Sequence, residues 1–239
     1  SAASITTNGG SVSLNFAEAN ALLNGNGTAP EQTGSVASDV TVTEDISVAQ
    51  ASDVLGASYN ISDTAETVAA AMIAEDASGV NGAQSITTTN DGTVGSVSLS
   101  FAEADALLNG TANASQTGTD PEDVTVTDDI SVAQAIDVSG ATYNISDEAA
   151  AIADALLADS AVVDEAASVT ATAGPVTLNY AQANAILNDT TSVSIDETEI
   201  TVSGTVTVTE AGNVDQTTYN ISDAAATIAD ALLADSAVV

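Results

Sequence analysis

A pentapeptide returns three times along this chain of 239 residues. Tyr-Asn-Ile-Ser-Asp stands at 59–63, at 143–147 and at 219–223, so the spacings are 84 and 76 residues. Phe-Ala-Glu-Ala at 16–19 returns at 101–104, and as Tyr-Ala-Gln-Ala at 180–183. Val-Thr-Val-Thr at 40–43 matches 124–127 and 206–209. The twelve residues 152–163 stand again, unchanged, at 228–239. Self-similarity of this kind points to a repeat array in which each unit buries its face on the next. Three repeats follow, at 1–84, 85–167 and 168–239, the last shortened and atypical.

Within a repeat the pattern predicts short strands alternating with short helices. Ser-Ile-Thr-Thr and Ser-Val-Ser-Leu are strand-like and flank Gly/Asn turns such as Asn8-Gly9-Gly10. A helix is predicted from Phe16 to about Leu23, ending at Asn24-Gly25. The Val-Thr-Val-Thr segment alternates like a half-buried strand. A helix is predicted next from Ser47 to about Val54, followed by the strand Ser-Tyr-Asn-Ile. Asp63 is placed to cap the last helix, with Glu66 completing a capping box. Val68, Met72 and Ile73, then Ile152, Leu156 and Leu157, then Ile228, Leu232 and Leu233, are expected to face inward as one stripe. Repeat 3 leaves too little room between Val206 and Tyr219, and the helix matching residues 131–136 is expected to be lost. The fold expected is an α/β repeat, an elongated solenoid-like array of short strands and helices. Three small α+β domains in tandem are the alternative.

The composition restricts the chemistry. There is no Lys, Arg, His or Cys, against 34 Asp and Glu, giving a formal charge of −34. No imidazole is present to move protons near neutral pH, and no thiol to act as nucleophile. No cationic side chain is present to hold a phosphate, and nucleic acid is repelled along the whole chain. The chain is expected not to be an enzyme. Yet 44% of its residues are hydrophobic, mostly Ala and Val, so it is no disordered acidic tail. Aromatics are only 3%, which predicts a thin core of small side chains in stacked layers. No apolar run approaches the ~20 residues of a membrane span. Carboxylates at this density repel one another on compaction. High salt or divalent cations relieve that repulsion, as an extracellular setting provides.

Oxygen ligands suit Ca²⁺, and Asp120, Glu122, Asp123, Asp128 and Asp129 are the candidate metal ligands, with Ca²⁺ the possible cofactor. Their alternative is a solvated acidic loop. Seven Asn-x-Ser/Thr sequons occur, of which Asn109 and Asn113 are the candidate glycosylation sites. Asn60, Asn144 and Asn220 are expected instead to bond locally to backbone around a helix start. Phe16, Phe101 and Tyr180 read as core, and Tyr59, Tyr143 and Tyr219 as strand residues whose hydroxyls reach a rim.

Taken together, Tyr-Asn-Ile-Ser-Asp-Thr-Ala-Glu-Thr-Val-Ala-Ala-Ala, Ser-Ile-Thr-Thr-Thr and Ser-Val-Ser-Leu-Ser-Phe-Ala-Glu-Ala-Asp-Ala-Leu-Leu resemble the Ala/Thr/Asp-rich tandem repeats of very large secreted bacterial surface proteins, giant adhesins and surface-layer-like proteins among them. The resemblance implies a bacterial cell-surface or extracellular location and carries over no functional residue. The function expected is structural: self-assembly head to tail into a filament, sheath or surface layer. A cation-dependent stalk or binding module of a giant secreted adhesin is the alternative. The expected partners are further copies of the chain, and possible divalent cations. Residues 1–6, Ser-Ala-Ala-Ser-Ile-Thr, resume the pattern that residues 165–170 follow after 163. Ser4, Ile5 and Thr6 of one unit are therefore expected to meet Leu232, Leu233, Val238 and Val239 of its neighbour, across a peptide bond if both belong to one longer chain.

Overall fold

A computed structural model describes residues 5–6, 10–25, 32–33, 37–74, 77–89, 97–110, 115–172, 174–189, 193–234 and 236–238. The chain divides into two compact units, Ser1–Thr125 and Val126–Val239. In chain order the first contains β1 (Ile5–Thr6), β2 (Val12–Leu14), α1 (Phe16–Asn24), β3 (Gln32–Thr33), β4 (Val40–Ile46), α2 (Val48–Ala51), β5 (Ser58–Thr64), α3 (Ala65–Ile73), α4 (Ser78–Asn81), β6 (Ser85–Thr89), β7 (Val97–Leu99), α5 (Phe101–Asn109) and β8 (Ser115–Thr117). The boundary falls inside β9 (Val124–Ile130). The second continues with α6 (Val132–Asp137), β10 (Thr142–Asp147), α7 (Ala149–Leu157), α8 (Ala161–Asp164), β11 (Ser168–Ala171), β12 (Val176–Leu178), α9 (Tyr180–Asn188), β13 (Val193–Ser194), β14 (Ile200–Val206), α10 (Val208–Ala211), β15 (Thr218–Ile221) and α11 (Ala225–Leu233). Among the described residues this is an α/β fold, as the alternating pattern predicts; its sheets are parallel and it has eleven α-helices.

In the first unit β2-β4-β5-β6-β8 form one parallel sheet, and β1 and β3 form a separate parallel pair. In the second, β9 to β11 and β13 lie in the order β13-β11-β10-β9, while β12-β14-β15 form a three-stranded parallel sheet. Alternation sets the core. Val40, Val42 and Ile46 of β4 are buried between exposed neighbours, as are Val124, Val126 and Ile130 of β9 and Ile200, Val202 and Val206 of β14. The helices meet this surface through small residues such as Ala19, Ala51, Ala104, Ala135 and Ala183, which lets them lie close to the strands.

Among the described residues six helices start with reciprocal capping boxes. Asn15/Glu18, Ser47/Gln50, Ser100/Glu103, Ser131/Gln134, Asn179/Gln182 and Thr207/Glu210 each satisfy the backbone N–H of the other. They fix where short helices of weak intrinsic stability begin.

Two expectations need correction. The expected capping box on α3 does not form: Thr64 is the N-cap, and its hydroxyl accepts from the Thr67 N–H. The Asp63 carboxylate reaches back fifteen residues instead, accepting from Val48 N at 3.0 Å and from Thr64 N at 2.9 Å. Asp147 takes the Val132 and Glu148 amides in the same way, and Asp223 those of Val208 and Ala224. One carboxylate thus holds the start of a short helix against the end of the next strand in all three repeats. The second correction concerns repeat 3. The strand matching β4 and β9 is residues 200–206, so residues 206–209 are a chance likeness. Val40, Val124 and Ile200 each precede their repeat's Tyr by the same 19 residues. There is room after Val206, and α10 forms there on its Thr207 cap.

Candidate assembly surface

The three Tyr-Asn-Ile-Ser-Asp segments fall on β5, β10 and β15. In β5 and β10 the strand is paired on both sides. Asn60 lies opposite Ser85 and Ile61 opposite Ile86; Asn144 lies opposite Ser168 and Ile145 opposite Val169. The Asn side chains span this pairing rather than bonding locally: Asn60 Oδ1 accepts from Ser85 Oγ at 2.9 Å, and Asn144 Oδ1 from Ser168 Oγ at 2.7 Å. The backbone adds Gln84 N to Tyr59 O and Ala167 N to Tyr143 O, both 2.8 Å. Among the described residues β15 pairs only with β14.

The tyrosines report the same asymmetry. Tyr59 and Tyr143 are buried, with hydroxyls donating to Gly79 O at 2.7 Å and Val162 O at 2.9 Å. They are core residues with satisfied hydroxyls, not rim residues. A Cβ at Gly82 would lie 2.7 Å from Tyr59 Oη, so the hydroxyl needs the glycine's bare backbone. Burial raises the Tyr59 phenol above its ordinary value; burial and the Glu165 carboxylate push Tyr143 up to about 12. Tyr219 is only half-buried, and its hydroxyl reaches Val238 O at 3.4 Å. Phe16, Phe101 and Tyr180 are half-buried rather than core, and Tyr180 Oη accepts from Asn213 Nδ2 at 2.9 Å.

The helices complete the picture. α3 packs against α5 and buries Ala65, Val68 and Ala69; α7 packs against α9 and buries Ala149, Ile152, Ala153 and Ala155. The matching residues of α11 are Ala225, Ile228 and Ala229, and none is buried. Leu232 is 60% exposed and Leu233 85%. Ile73 and Leu157 remain 49% and 53% exposed even beside a neighbouring helix, so they lie at the margin of the stripe. The uncovered face of α11 is therefore Ala225, Ile228, Ala229 and Leu232, and Leu233 borders it. At the other side of the repeat, Leu14, Ala21 and Leu22 are less covered than Leu99, Leu107, Leu178, Ala185 and Ile186 in the matching places.

Of the other residues singled out by sequence, Asp120, Glu122 and Asp123 lie at the 3-10 turn Pro121–Asp123, and Asp128 and Asp129 at exposed positions of β9. Among the described residues no group of three or more acidic side chains is placed to hold a metal ion. Asn109 ends α5 and its Nδ2 donates to Asp105 Oδ1 at 3.1 Å. Asn113, Ser4 and Val239 lie outside the described residues, and Ile5 and Thr6 form β1. No described helix is long and apolar enough to cross a membrane. No family model, curated protein or solved structure matches the chain.

Proposed function

We propose that this chain is a structural, non-enzymatic repeat protein of the cell exterior, in keeping with its resemblance to bacterial surface repeats. Its repeats stack as a solenoid-like array, and its copies join head to tail into a filament, sheath or surface layer. One observation carries this reading: α7 and α11 share nearly the same sequence, yet α7 lies against α9 and buries four residues, whereas α11 buries none and leaves Leu232 and Leu233 exposed. A face built to be buried, and buried wherever the chain repeats it, calls for a partner of the same kind. Contact between unlike ends of identical copies is heterologous and propagates unless rotation closes a ring. The charge of −34 opposes it, so assembly requires screening.

Sedimentation of the purified chain at rising concentration tests this, in low salt, in high salt and with divalent cations. The mass average is expected to climb with concentration and to climb further when charge is screened. A single monomer mass under every condition contradicts the proposal.

A further inference from the structure

The geometry points to the mode of joining: β1 of one copy adds to the open edge of β15 in the next, in parallel, with Ile5 opposite Ile221 and Thr6 opposite Ser222. This inference rests on the self-assembly reading and specifies its contact. It follows from the sheets. The sheet β2-β4-β5-β6-β8 uses five kinds of strand in fixed order. They are a Val-x-Leu strand, an alternating strand, the Tyr-Asn-Ile strand, a Ser-[Ile/Val]-Thr strand and a short last strand. Among the described residues the sheet β12-β14-β15 contains the first three kinds. The pair β1-β3 contains the last two kinds: residues 4–7 are Ser-Ile-Thr-Thr, as are residues 85–88 of β6. Ile5 pairs with Gln32 in β1-β3 as Ile86 pairs with Gln116 in β6-β8. Among the described residues the two partial sheets are complementary in strand kind, one with the first three and one with the last two.

The register follows from the covered copies. Ile61 faces Ile86 and Ser62 faces Thr87; Ile145 faces Val169 and Ser146 faces Thr170. Transferred to β15, this sets Ile221 against Ile5 and Ser222 against Thr6, and gives the order β12-β14-β15-β1-β3 across the joint. In the same step α1 of the incoming copy covers α11, as α9 covers α7. An open parallel edge beside an apolar helix face is the setting in which strand addition supplies both backbone hydrogen bonds and side-chain burial.

The chain has no Cys, so engineered cysteines report without background. Neighbouring parallel strands bring paired residues within disulfide reach. The double variant Ser146→Cys/Thr170→Cys calibrates the reaction, because these residues already face one another within one chain. The double variant Thr6→Cys/Ser222→Cys is then oxidised under assembling conditions. Expected is a ladder at multiples of the chain mass, absent from either single variant and from the out-of-register pair Thr6→Cys/Asn220→Cys. If unmodified chains sediment as polymers but the Thr6/Ser222 pair gives no ladder, or the out-of-register pair gives the stronger one, this contact is overturned and self-assembly stands. If unmodified chains never associate, both fall.

Discussion

Two helices of nearly the same sequence meet different fates in this molecule. α7 buries Ala149, Ile152, Ala153 and Ala155, whereas α11, which differs from α7 by Thr227 in place of Ala151, buries none of its residues. Helix propensity and amphipathic pattern are the same in both, so neither decides burial. What differs is the next repeat: α9 lies on α7, and the described residues supply no such helix to α11. Burying an Ile or Leu stabilises by roughly 1.5–3 kcal/mol relative to leaving it in water. In α7 that gain is taken within the chain; in α11 it remains open to a partner. The same contrast separates Tyr143 from Tyr219 and Asn144 from Asn220.

The sharpest way to break the comparison is to make one substitution twice. Ile152 is fully buried, so Ile152→Ala leaves a cavity in the core and is expected to cost about 2–5 kcal/mol in denaturant unfolding. Ile228→Ala is half exposed already and is expected to cost under about 1.5 kcal/mol in dilute chain, while weakening association in sedimentation. Equal costs would mean that α11 is already covered. Asp147→Ala should come next, at about 1.5–3 kcal/mol, because two backbone N–H groups lose a charged acceptor. Asp223→Ala should cost a similar amount, since both its bonds are made within one repeat. That pair sharpens the comparison by separating contacts within a repeat from contacts between repeats.

Alkali gives a smaller effect. An unfolded phenol ionises near 10, whereas folded Tyr143 holds its proton up to about 12. Its contribution to stability is therefore complete below about pH 10 and is lost as pH rises towards 12. Unfolding midpoints should fall across that window, and Tyr143→Phe should make the fall shallower. Smallest is the cross-strand amide. Asn144→Ala should cost about 0.5–1.5 kcal/mol, and Asn220→Ala close to nothing until chains assemble.

The alternation of strands and helices and the α/β class were legible because repetition displays these elements several times over, whereas the parallel pairing and the short helices α4 and α8 were not. Register was harder. Val-Thr alternation is so common here that residues 206–209 imitate a strand, and only the constant distance to the Tyr exposes residues 200–206 as the true one. Asp63 was assigned to the adjacent helix because Asp is a generic N-cap, but its partner, the amide of Val48, comes from the preceding helix and is set by tertiary structure. The six capping boxes all carry Asn, Ser or Thr three residues before Glu or Gln, but Thr41 and Glu44 inside β4 stand at the same spacing, so the pattern marks a helix start only where a helix follows. For the candidate surface, the sequence names Leu232 and Leu233, which fall on α11, and Ile5 and Thr6, which form β1. It could not tell that Leu233 borders the stripe, because helical periodicity gives a face and not the width its neighbour covers.

Amide hydrogen exchange, followed residue by residue in α7 and α11 as chain concentration and salt are raised, tests the central claim most directly. In dilute, low-salt solution residues 228–233 are expected to exchange far faster than residues 152–157. On assembly they should slow to match them, together with β15. If α11 is as protected as α7 in the lone chain, or stays fast in the assembled material, then α11 is not the joint between copies.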